Sequence, residues 1–409
     1  DVCSSDLWDL TTIFPHNDAW EEAFSEAIER IPSLYRYQNK LGSSSAVLSE
    51  YLKLAEEIGI QVFKIYVYAH LKADEDAADS YYNGMYLRGV QLETKFNAAI
   101  SWAEPEIAQI SADNMVIYLS EDQEIAARRH FLENILRQAP HQLSAPEELL
   151  LAKAGEIFNQ PSLTFNVLNN ADLRFPSIKN EKGIEAELTH ARYGEFLESR
   201  DRRVRRDAFE NLYKVYDQFA NTNASTLAGA INVNNYKAEI RGFSSARAAA
   251  LFENAISEDV YDNLIATVNK NLHQLHRYVT LRKKTLGLDE LHSYDLYVSL
   301  IEGVDVKYSF SEAQEILVRA LAPLGTEYVE IIRKAFAERW IDRAVNKGKH
   351  SGAYSSGSYG TAPYILMSWQ GTLNDLFTLA HELGHSVHSW YSRNTQPFVY
   401  SGYSIFLAE

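Results

Sequence analysis

The chain has 409 residues, of which 46% are hydrophobic and 12% aromatic, and its formal net charge is −16. That length is about two to three times a usual domain, so it allows several packed layers or more than one domain. An acidic balance with no basic tail or stripe repels phosphate backbones and argues against a nucleic-acid partner. No run of about 18 apolar residues is present, so no membrane partner is expected.

The residues near the N-terminus give evidence on the cellular compartment of the protein. The one cysteine, Cys3, cannot form an intramolecular disulfide, which fits a reducing compartment better than secretion. The stretch from Asp1 to Leu7 lacks the basic and then apolar pattern of a signal peptide. These features predict a cytoplasmic location.

Helical periodicity dominates the first half of the chain. Between Asp18 and Ile31, apolar residues recur at steps of three and four, which is the pattern of an amphipathic helix. Ser45 is the predicted cap of a second helix that continues through Leu71. Further periodic stretches, separated by short Gly, Pro or polar breaks, are predicted at residues 77–102, 121–136 and 146–158.

Two segments have strand-like patterns. Between residues 171 and 191, apolar residues lie on either side of the polar run Lys179 to Gly183, whose glycine suits a tight turn, so a β-hairpin is predicted. The run Pro363 to Met367 is also strand-like. It stands just before a last helix that is predicted to begin near Thr372.

The region between these two segments is again helical. Its periodicity runs from Tyr193 to about Arg343, with breaks near Gly242 and Gly287. The arginines at residues 200–206 resemble a nucleic-acid patch in isolation. Because acidic residues flank them, we interpret them as a solvated helix face.

The residues that suggest chemistry lie on the last predicted helix. The run His381 to His385 reads His-Glu-Leu-Gly-His, and its two histidines are four residues apart, so both can bind one ion from the same helix face. Zinc binding uses neutral imidazoles, leaves a position for water and lowers the pKa of that water toward about 7. Glu382 can accept the water's proton, so the run predicts metal-dependent hydrolysis.

The surroundings of this run favour a metal site over a chance pattern. Apolar residues precede and follow it, including Leu379 and Val387, and they indicate a helix whose other faces are buried. The alternative is that both histidines are ordinary surface or core histidines.

A catalytic zinc site needs a third protein ligand. Metzincins place Gly three and His six residues after the second histidine, but His388 and Tyr391 occupy those positions, so that class is excluded. His388 lies about 10 Å along the helix from His381, too far for both to share an ion with His385. It therefore supports the metal ligands from outside, faces the substrate or is a plain polar residue. The only acidic residue after the run is Glu409, which is the expected third ligand.

These residues resemble the signature of the oligoendopeptidase F group of thimet-like zinc oligopeptidases. In that signature, His-Glu-x-Gly-His is followed by a distant Glu that ends a Phe-x-Ala-Glu run, here Phe406 to Glu409. Other segments also look like this group, so the resemblance covers the chain essentially end to end. They are Trp8–Leu10, Asn170–Leu173, Leu286–Asp289, Tyr294–Tyr297 and Ser351–Gly357.

The resemblance implies a mainly α, elongated multi-helix zincin fold with a deep channel that admits extended peptides. It also implies a small β-sheet beside the metal helix, within residues 352–367, whose edge would bind substrate by strand addition. The candidate substrate-binding residues are Gly352, Tyr354, Tyr359 and His388. For the two tyrosines, ordinary packing is an equal alternative.

Three domains are expected on this basis. Residues 1–110 form an N-terminal helical region, residues 111–191 an oligopeptidase F-type N-terminal domain that ends in the hairpin, and residues 192–409 the zinc metallopeptidase catalytic domain. Because the chain lacks an initial Met and stops at the expected ligand, we interpret it as a fragment whose catalytic domain is truncated at its C-terminus. The family's oxyanion-stabilising His and Tyr residues would then lie beyond residue 409.

The sequence therefore predicts a zinc-dependent oligoendopeptidase that hydrolyses short unstructured peptides by water attack. One Zn²⁺ per chain is expected, with His381, His385 and Glu409 as ligands and Glu382 as general base. The expected partners are short peptides, with no nucleic acid and no membrane. The alternative is a zinc- or peptide-binding protein without catalysis, either incomplete or an inactive family member.

Overall fold

The computed structural model describes a mainly α-helical chain with short β-strands. The described residues are 6–76, 78–144, 147, 150–151, 154–301, 307–346, 348–350 and 352–408. Their α-helices are α1 (Asn17–Arg30), α2 (Ser45–Glu75), α3 (Ser80–Ile100), α4 (Ala103–Ile107), α5 (Ala112–Glu121), α6 (Gln123–Ala127), α7 (Arg129–Gln138), α8 (Gly155–Val167), α9 (His190–Leu197), α10 (Arg202–Gln218), α11 (Ala220–Ile240), α12 (Ala246–Glu253), α13 (Glu258–Thr285), α14 (Phe310–Ala320), α15 (Thr326–Ala337), α16 (Leu373–Thr395) and α17 (Ile405–Ala408). Their strands are β1 (Ile178–Lys179), β2 (Glu185–Ala186), β3 (Ile341–Asp342), β4 (Tyr354–Ser356) and β5 (Tyr364–Leu366).

The chain forms two compact units. The first consists of Asp1–Ala139 together with Asp305–Glu409, and the second of Pro140–Val304. The two units are groups of residues that pack together, and they do not test the three sequence domains expected at 1–110, 111–191 and 192–409. Those domain boundaries stay a prediction. No helix in the described ranges is both long and apolar enough to cross a membrane.

The helical stretches predicted in the first half of the chain are confirmed where they are described, with shifted ends. The stretch predicted from Tyr193 to about Arg343 is helical only in part, because residues 286–301 and 307–309 lie outside α-helices and Ile341–Asp342 form β3. The stretch at 18–31 is α1, and the stretch at 77–102 is α3. The stretch at 121–136 is divided into α6 and α7 at Arg128, whose backbone leaves the helical region and whose guanidinium pairs with Glu56. Part of the stretch at 146–158 falls outside the described residues.

The first unit is built around the long helix α2. Its cap is Ser44, one residue before the predicted Ser45, and the Ser44 hydroxyl accepts a hydrogen bond from the Val47 amide at 3.3 Å. A cap oxygen satisfies an amide that has no partner inside the helix. Helix α2 packs on α1 and α3. Trp20 of α1 is fully buried, and its indole nitrogen donates to the Ile65 carbonyl at 2.8 Å.

A three-stranded sheet lies in the first unit, in the order β3, β5, β4. Strand β5 pairs in parallel with β3 and antiparallel with β4. Because successive side chains of a strand point to opposite faces, Tyr364 and Leu366 join the core around α2, whereas Ile365 joins the core around α16. The small sheet expected within residues 352–367 is confirmed. Strand β3 was not predicted, because two residues are too few for a periodic pattern.

A buried ion pair ties the ends of β3 and β5 together. The Lys349 ammonium lies 2.6 Å from the Asp342 carboxylate, and both side chains are almost fully buried. Burial raises the pKa of Asp342 and lowers that of Lys349, and each charge opposes the shift of its partner. The same ammonium donates to the carbonyls of Met367 at 2.6 Å and Ala344 at 2.8 Å, so it also satisfies buried backbone oxygens.

The last long helix, α16, begins as predicted. Thr372 caps it, and the Asp375 carboxylate accepts in return from the Thr372 amide at 2.9 Å, which completes a capping box. The side chains of Leu379, Leu383 and Val387 are buried in the core around this helix. This packing fixes the rotation of α16 about its own axis and therefore decides which residues face outward.

The second unit contains the predicted β-hairpin. Strands β1 and β2 pair antiparallel, with Ile178 opposite Ala186. Gly183 in the turn has a φ of +73°, a conformation that glycine adopts without strain. The Asn180 amide donates to the Ile184 carbonyl at 2.9 Å, which closes the turn.

The arginine cluster at residues 200–206 is only partly a solvated face, so that interpretation was wrong for Arg205. Its side chain is 4% exposed and its guanidinium lies 2.7 Å from the fully buried carboxylate of Asp295. Arg202 pairs with the same carboxylate at 2.9 Å. Burial raises the pKa of Asp295, but the hydrogen bonds from the two arginines outweigh it and hold the pKa below its ordinary value.

Asp295→Asn is expected to destabilise the second unit by about 3–5 kcal/mol, because Arg205 would keep a buried charge without its partner. Urea unfolding at pH 7, followed by circular dichroism, measures the loss. Since the pKa of Asp295 is lowered on folding, its contribution is present above the unfolded pKa, and the difference between the two proteins should shrink as the pH falls below about 4. Asp217→Asn, at an exposed position on α10, is the matched control and should change stability by less than about 0.5 kcal/mol. An equal loss in both variants would contradict the buried-pair explanation.

Candidate active site

Helix α16 brings the two predicted imidazoles together. The Nε2 atoms of His381 and His385 lie 3.0 Å apart, and the ring centroids are 4.6 Å apart at an interplanar angle of 89°. Two nitrogens at about 2.0–2.1 Å from a tetrahedral zinc ion would be about 3.3 Å apart. The pair therefore fits two positions of one zinc ion without rearrangement of the helix.

Glu382 stands between these histidines in sequence but differs from them in exposure. Its side chain is buried, with 6% of the residue exposed, whereas His381 is exposed and His385 is half-buried. One residue along a helix is a rotation of about 100°, so the carboxylate lies on the flank of the imidazole face. The arrangement combines two closely spaced imidazole nitrogens with a shielded carboxylate.

The predicted third ligand, Glu409, lies outside the described residues. Within the described ranges no group of three or more His, Cys, Asp or Glu side chains is arranged to hold a metal ion. Helix α17 (Ile405–Ala408) leads toward residue 409. The role of Glu409 as a metal ligand therefore stays a prediction.

His388 is held by a tyrosine that sequence reasoning missed. The rings of His388 and Tyr403 are stacked, with centroids 3.6 Å apart and an interplanar angle of 11°. The Tyr403 hydroxyl lies 3.0 Å from the Ser389 hydroxyl and donates to the His385 carbonyl at 3.4 Å. Tyr403 thus attaches the segment before α17 to the helix of the histidines. A lone tyrosine between two motifs carries no sequence signal for such a contact.

Strand β4 lies directly against α16. The hydroxyls of Ser355 and Ser386 are 2.8 Å apart, and Ser386, which follows His385, is 1% exposed. Gly352, just before the strand, is exposed and has a φ of +91°. In the described ranges, β4 is paired on one side only, with β5. An unpaired strand edge therefore accompanies the imidazole face.

The two candidate tyrosines have protein partners. The Tyr354 hydroxyl donates to the Asp74 carboxylate at 2.7 Å. The Tyr359 hydroxyl donates to the Gln396 carbonyl at 3.2 Å, and its ring packs edge-on against Phe398. These contacts agree with the packing alternative, and the substrate-binding roles of both tyrosines stay predictions, as do those of Gly352 and His388.

A half-buried arginine near the end of α16 holds the loop that follows β4. Arg393 donates from Nη2 to the Gly357 carbonyl at 3.0 Å. Burial lowers the pKa of Arg393 to about 10, against a smaller opposing effect of Tyr403. Gly357 has a φ of +156°, and a Cβ there would lie 2.5 Å from Arg393 Nη1 and 2.6 Å from the Ala362 carbonyl oxygen. The close approach of arginine and loop therefore requires glycine.

Two family models match parts of this chain. The family model described as peptidase family M3 matches residues 195–409, which is more than half of the chain. A second model, described as oligopeptidase F, matches residues 106–175. Both matches fall within the parts of the chain that carry the resemblance found in the sequence.

Relatives and solved structures extend the likeness to the whole chain. Oligopeptidase PepF of Bacillus subtilis is 46% identical over 409 residues, which are 100% of this chain and 61% of that protein. A crystal structure from Chlamydophila abortus superposes with a TM-score of 0.86 at 32% identity, over 100% of this chain and 69% of that one. Oligoendopeptidase F from Enterococcus faecium gives a TM-score of 0.64 at 39% identity, over 92% and 64% of the two chains.

The chain thus spans about three-fifths of the length of the Bacillus subtilis relative. The matches to the two family models and the likeness to oligoendopeptidase F from Enterococcus faecium lead to the same assignment. The chain belongs to peptidase family M3, in its oligoendopeptidase F group.

Proposed function

We propose that the whole protein is a zinc-dependent endopeptidase for short unstructured peptides. The observation that carries the proposal is the pair of imidazole nitrogens 3.0 Å apart on α16, with a buried carboxylate on the intervening residue. Two neutral nitrogens and a carboxylate in this arrangement are the groups that metal-assisted hydrolysis uses. Membership of a peptidase family supports the reaction class.

In this proposal one zinc ion per chain is bound by His381 and His385, with Glu409 as third ligand. The bound ion supplies Lewis acidity that polarises the scissile carbonyl and lowers the pKa of the attacking water. Glu382 accepts a proton from that water and later donates it to the departing amine, so the carboxylate acts first as base and then as acid. Its burial keeps competing water away from this proton.

The substrate in this proposal is an extended peptide that pairs with the free edge of β4. Main-chain hydrogen bonds would then give most of the affinity, which suits a peptidase with weak sequence selectivity. The support for this step is that β4 has an unpaired edge in the described ranges and contacts α16 one residue beyond His385. A peptide on that edge would run beside the imidazole face.

The proposal is tested with a quenched fluorescent nonapeptide. Cleavage that a chelator abolishes and added zinc restores is the expected result. Stoichiometric zinc with peptide binding but no cleavage would instead favour a binding protein without catalysis. A protein with no zinc by metal analysis would contradict both.

Glu382→Gln is expected to lower kcat by about a thousandfold while zinc stoichiometry stays near one. The amide keeps the shape of the side chain but cannot accept the proton, and general acid–base catalysis typically contributes factors of about 10²–10⁴. Peptide turnover and metal analysis on the same preparation measure the two quantities. Undiminished turnover would contradict the assignment of the base.

His381→Ala and His385→Ala are each expected to reduce bound zinc from about one ion per chain to near zero, because a zinc site with one imidazole lacks the ligands it needs. His388→Ala is the matched control on the same helix, and it should keep about one zinc per chain. The measurement is metal analysis after dialysis, with circular dichroism to verify that the helix content is unchanged. Zinc retained by all three variants would place the metal elsewhere.

A further inference from the structure

Strand β4 is held from both faces, and each face is attached to a different helix. Alternate side chains of a strand point in opposite directions, so Tyr354 and Ser355 leave β4 on opposite sides. Ser355 contacts Ser386 of α16 at 2.8 Å. Tyr354 donates its hydroxyl hydrogen to Asp74 of α2 at 2.7 Å. The position of the strand therefore depends on α2 as well as on the helix of the histidines.

The Asp74 carboxylate is shared between two side chains. The same Oδ2 atom that accepts from Tyr354 lies 3.3 Å from His70 Nε2, one helical turn earlier on α2. The Asp74 side chain is only 14% exposed. Burial, with the Asp74 carboxylate as the next cause, raises the pKa of Tyr354, so its hydroxyl stays protonated and remains the donor. The contact is a charge-assisted hydrogen bond in a largely dry setting.

The position of Asp74 on α2 is unfavourable for a carboxylate taken alone. It lies in the last turn of a helix that ends at Glu75, where the helix dipole disfavours negative charge. The loop before β4 also reaches this turn, because the His350 amide donates to the Asp74 carbonyl at 3.1 Å. The helix end is therefore tied to the loop and strand by both its backbone and its side chain.

Aromatic stacking adds to this attachment. The His70 ring lies between Tyr66 and Tyr354, with centroid distances of 5.8 Å to each and interplanar angles of 16° and 19°. The Tyr354 ring is thus aligned by His70 while its hydroxyl is aligned by Asp74. Two independent contacts therefore fix the orientation of the Tyr354 side chain.

We propose that Asp74 is a positioning residue for the peptidase reaction: through Tyr354, and with His70 supporting it, Asp74 holds β4 at the distance and twist at which an extended peptide pairs beside α16. This inference rests on the proposed function, because it assigns Asp74 to the binding of that enzyme's substrate. Asp74 contacts Tyr354, His70 and His350, and it does not contact the imidazoles of His381 and His385. Its effect is on substrate binding and much less on the chemical step.

The test compares Asp74→Asn and Tyr354→Phe with the unmodified protein. Each change removes one partner of the charged hydrogen bond, and KM for the quenched nonapeptide is expected to rise about tenfold while kcat changes less than about twofold. The double variant is expected to bind no more weakly than either single variant, since both changes break the same contact. Tyr354→Phe keeps the stack on His70 and tests the hydrogen bond even where Asp74→Asn fails to fold.

A binding measurement separates this inference from the proposed reaction. In a Glu382→Gln background, the Kd of the labelled nonapeptide, measured by fluorescence anisotropy, is expected to rise about tenfold in both variants, without any need for turnover. Faster hydrogen exchange at the amides of residues 354–356 is expected in parallel. Absence of turnover by the unmodified protein would contradict the proposed peptidase activity but not the proposed role of Asp74 in peptide binding.

The matched control is Tyr68→Phe on the same helix. Tyr68 is also buried, and its hydroxyl donates to the Asn17 side chain at 3.0 Å, away from β4. It should leave KM and Kd within about twofold of the unmodified protein. Unchanged KM and Kd in folded Asp74→Asn and Tyr354→Phe would overturn the inference, and so would an equal rise in Tyr68→Phe.

Discussion

The candidate site depends on the rotation of one helix about its own axis. Two residues four positions apart face the same direction on an α-helix, and a turn of about 100° would replace both imidazoles by their neighbours. Three buried side chains, Leu379, Leu383 and Val387, set this rotation because they occupy the core behind α16. The nitrogen separation of 3.0 Å between His381 and His385 is therefore a product of apolar packing on the opposite side of the helix.

The central strand β5 packs against the core of α16 on one face and against the core of α2 on the other. Its three residues are fully buried, and their alternation divides them between the core of α2 and the core of α16. A strand that is covered on both faces cannot shift by one residue, since every side chain would enter the wrong core. Strand β4 takes its register from β5, so two hydrophobic cores together fix the position of β4 beside α16.

Two basic side chains of the first unit donate hydrogen bonds to backbone carbonyls of segments outside helices and strands. The buried Lys349 ammonium donates to the Met367 carbonyl, and the half-buried Arg393 donates to the Gly357 carbonyl. Irregular backbone near a core lacks the regular partners of helices and sheets, and an unpaired buried carbonyl is costly. Long basic side chains can reach such oxygens from a distance, which lets loops pass close to the sheet and to α16.

The sequence by itself determined the helices, the hairpin around Gly183, the start of α16 and the pair of histidines, because each of these depends on spacing within one segment. The sequence did not indicate that Ser44, and not Ser45, caps α2, and it did not indicate that Arg205 is buried. Only the tertiary structure decided that Tyr354 meets Asp74, that Tyr403 stacks on His388 and that β3 joins the sheet. These contacts link residues from different segments, and no periodicity along the chain encodes which distant side chains will meet.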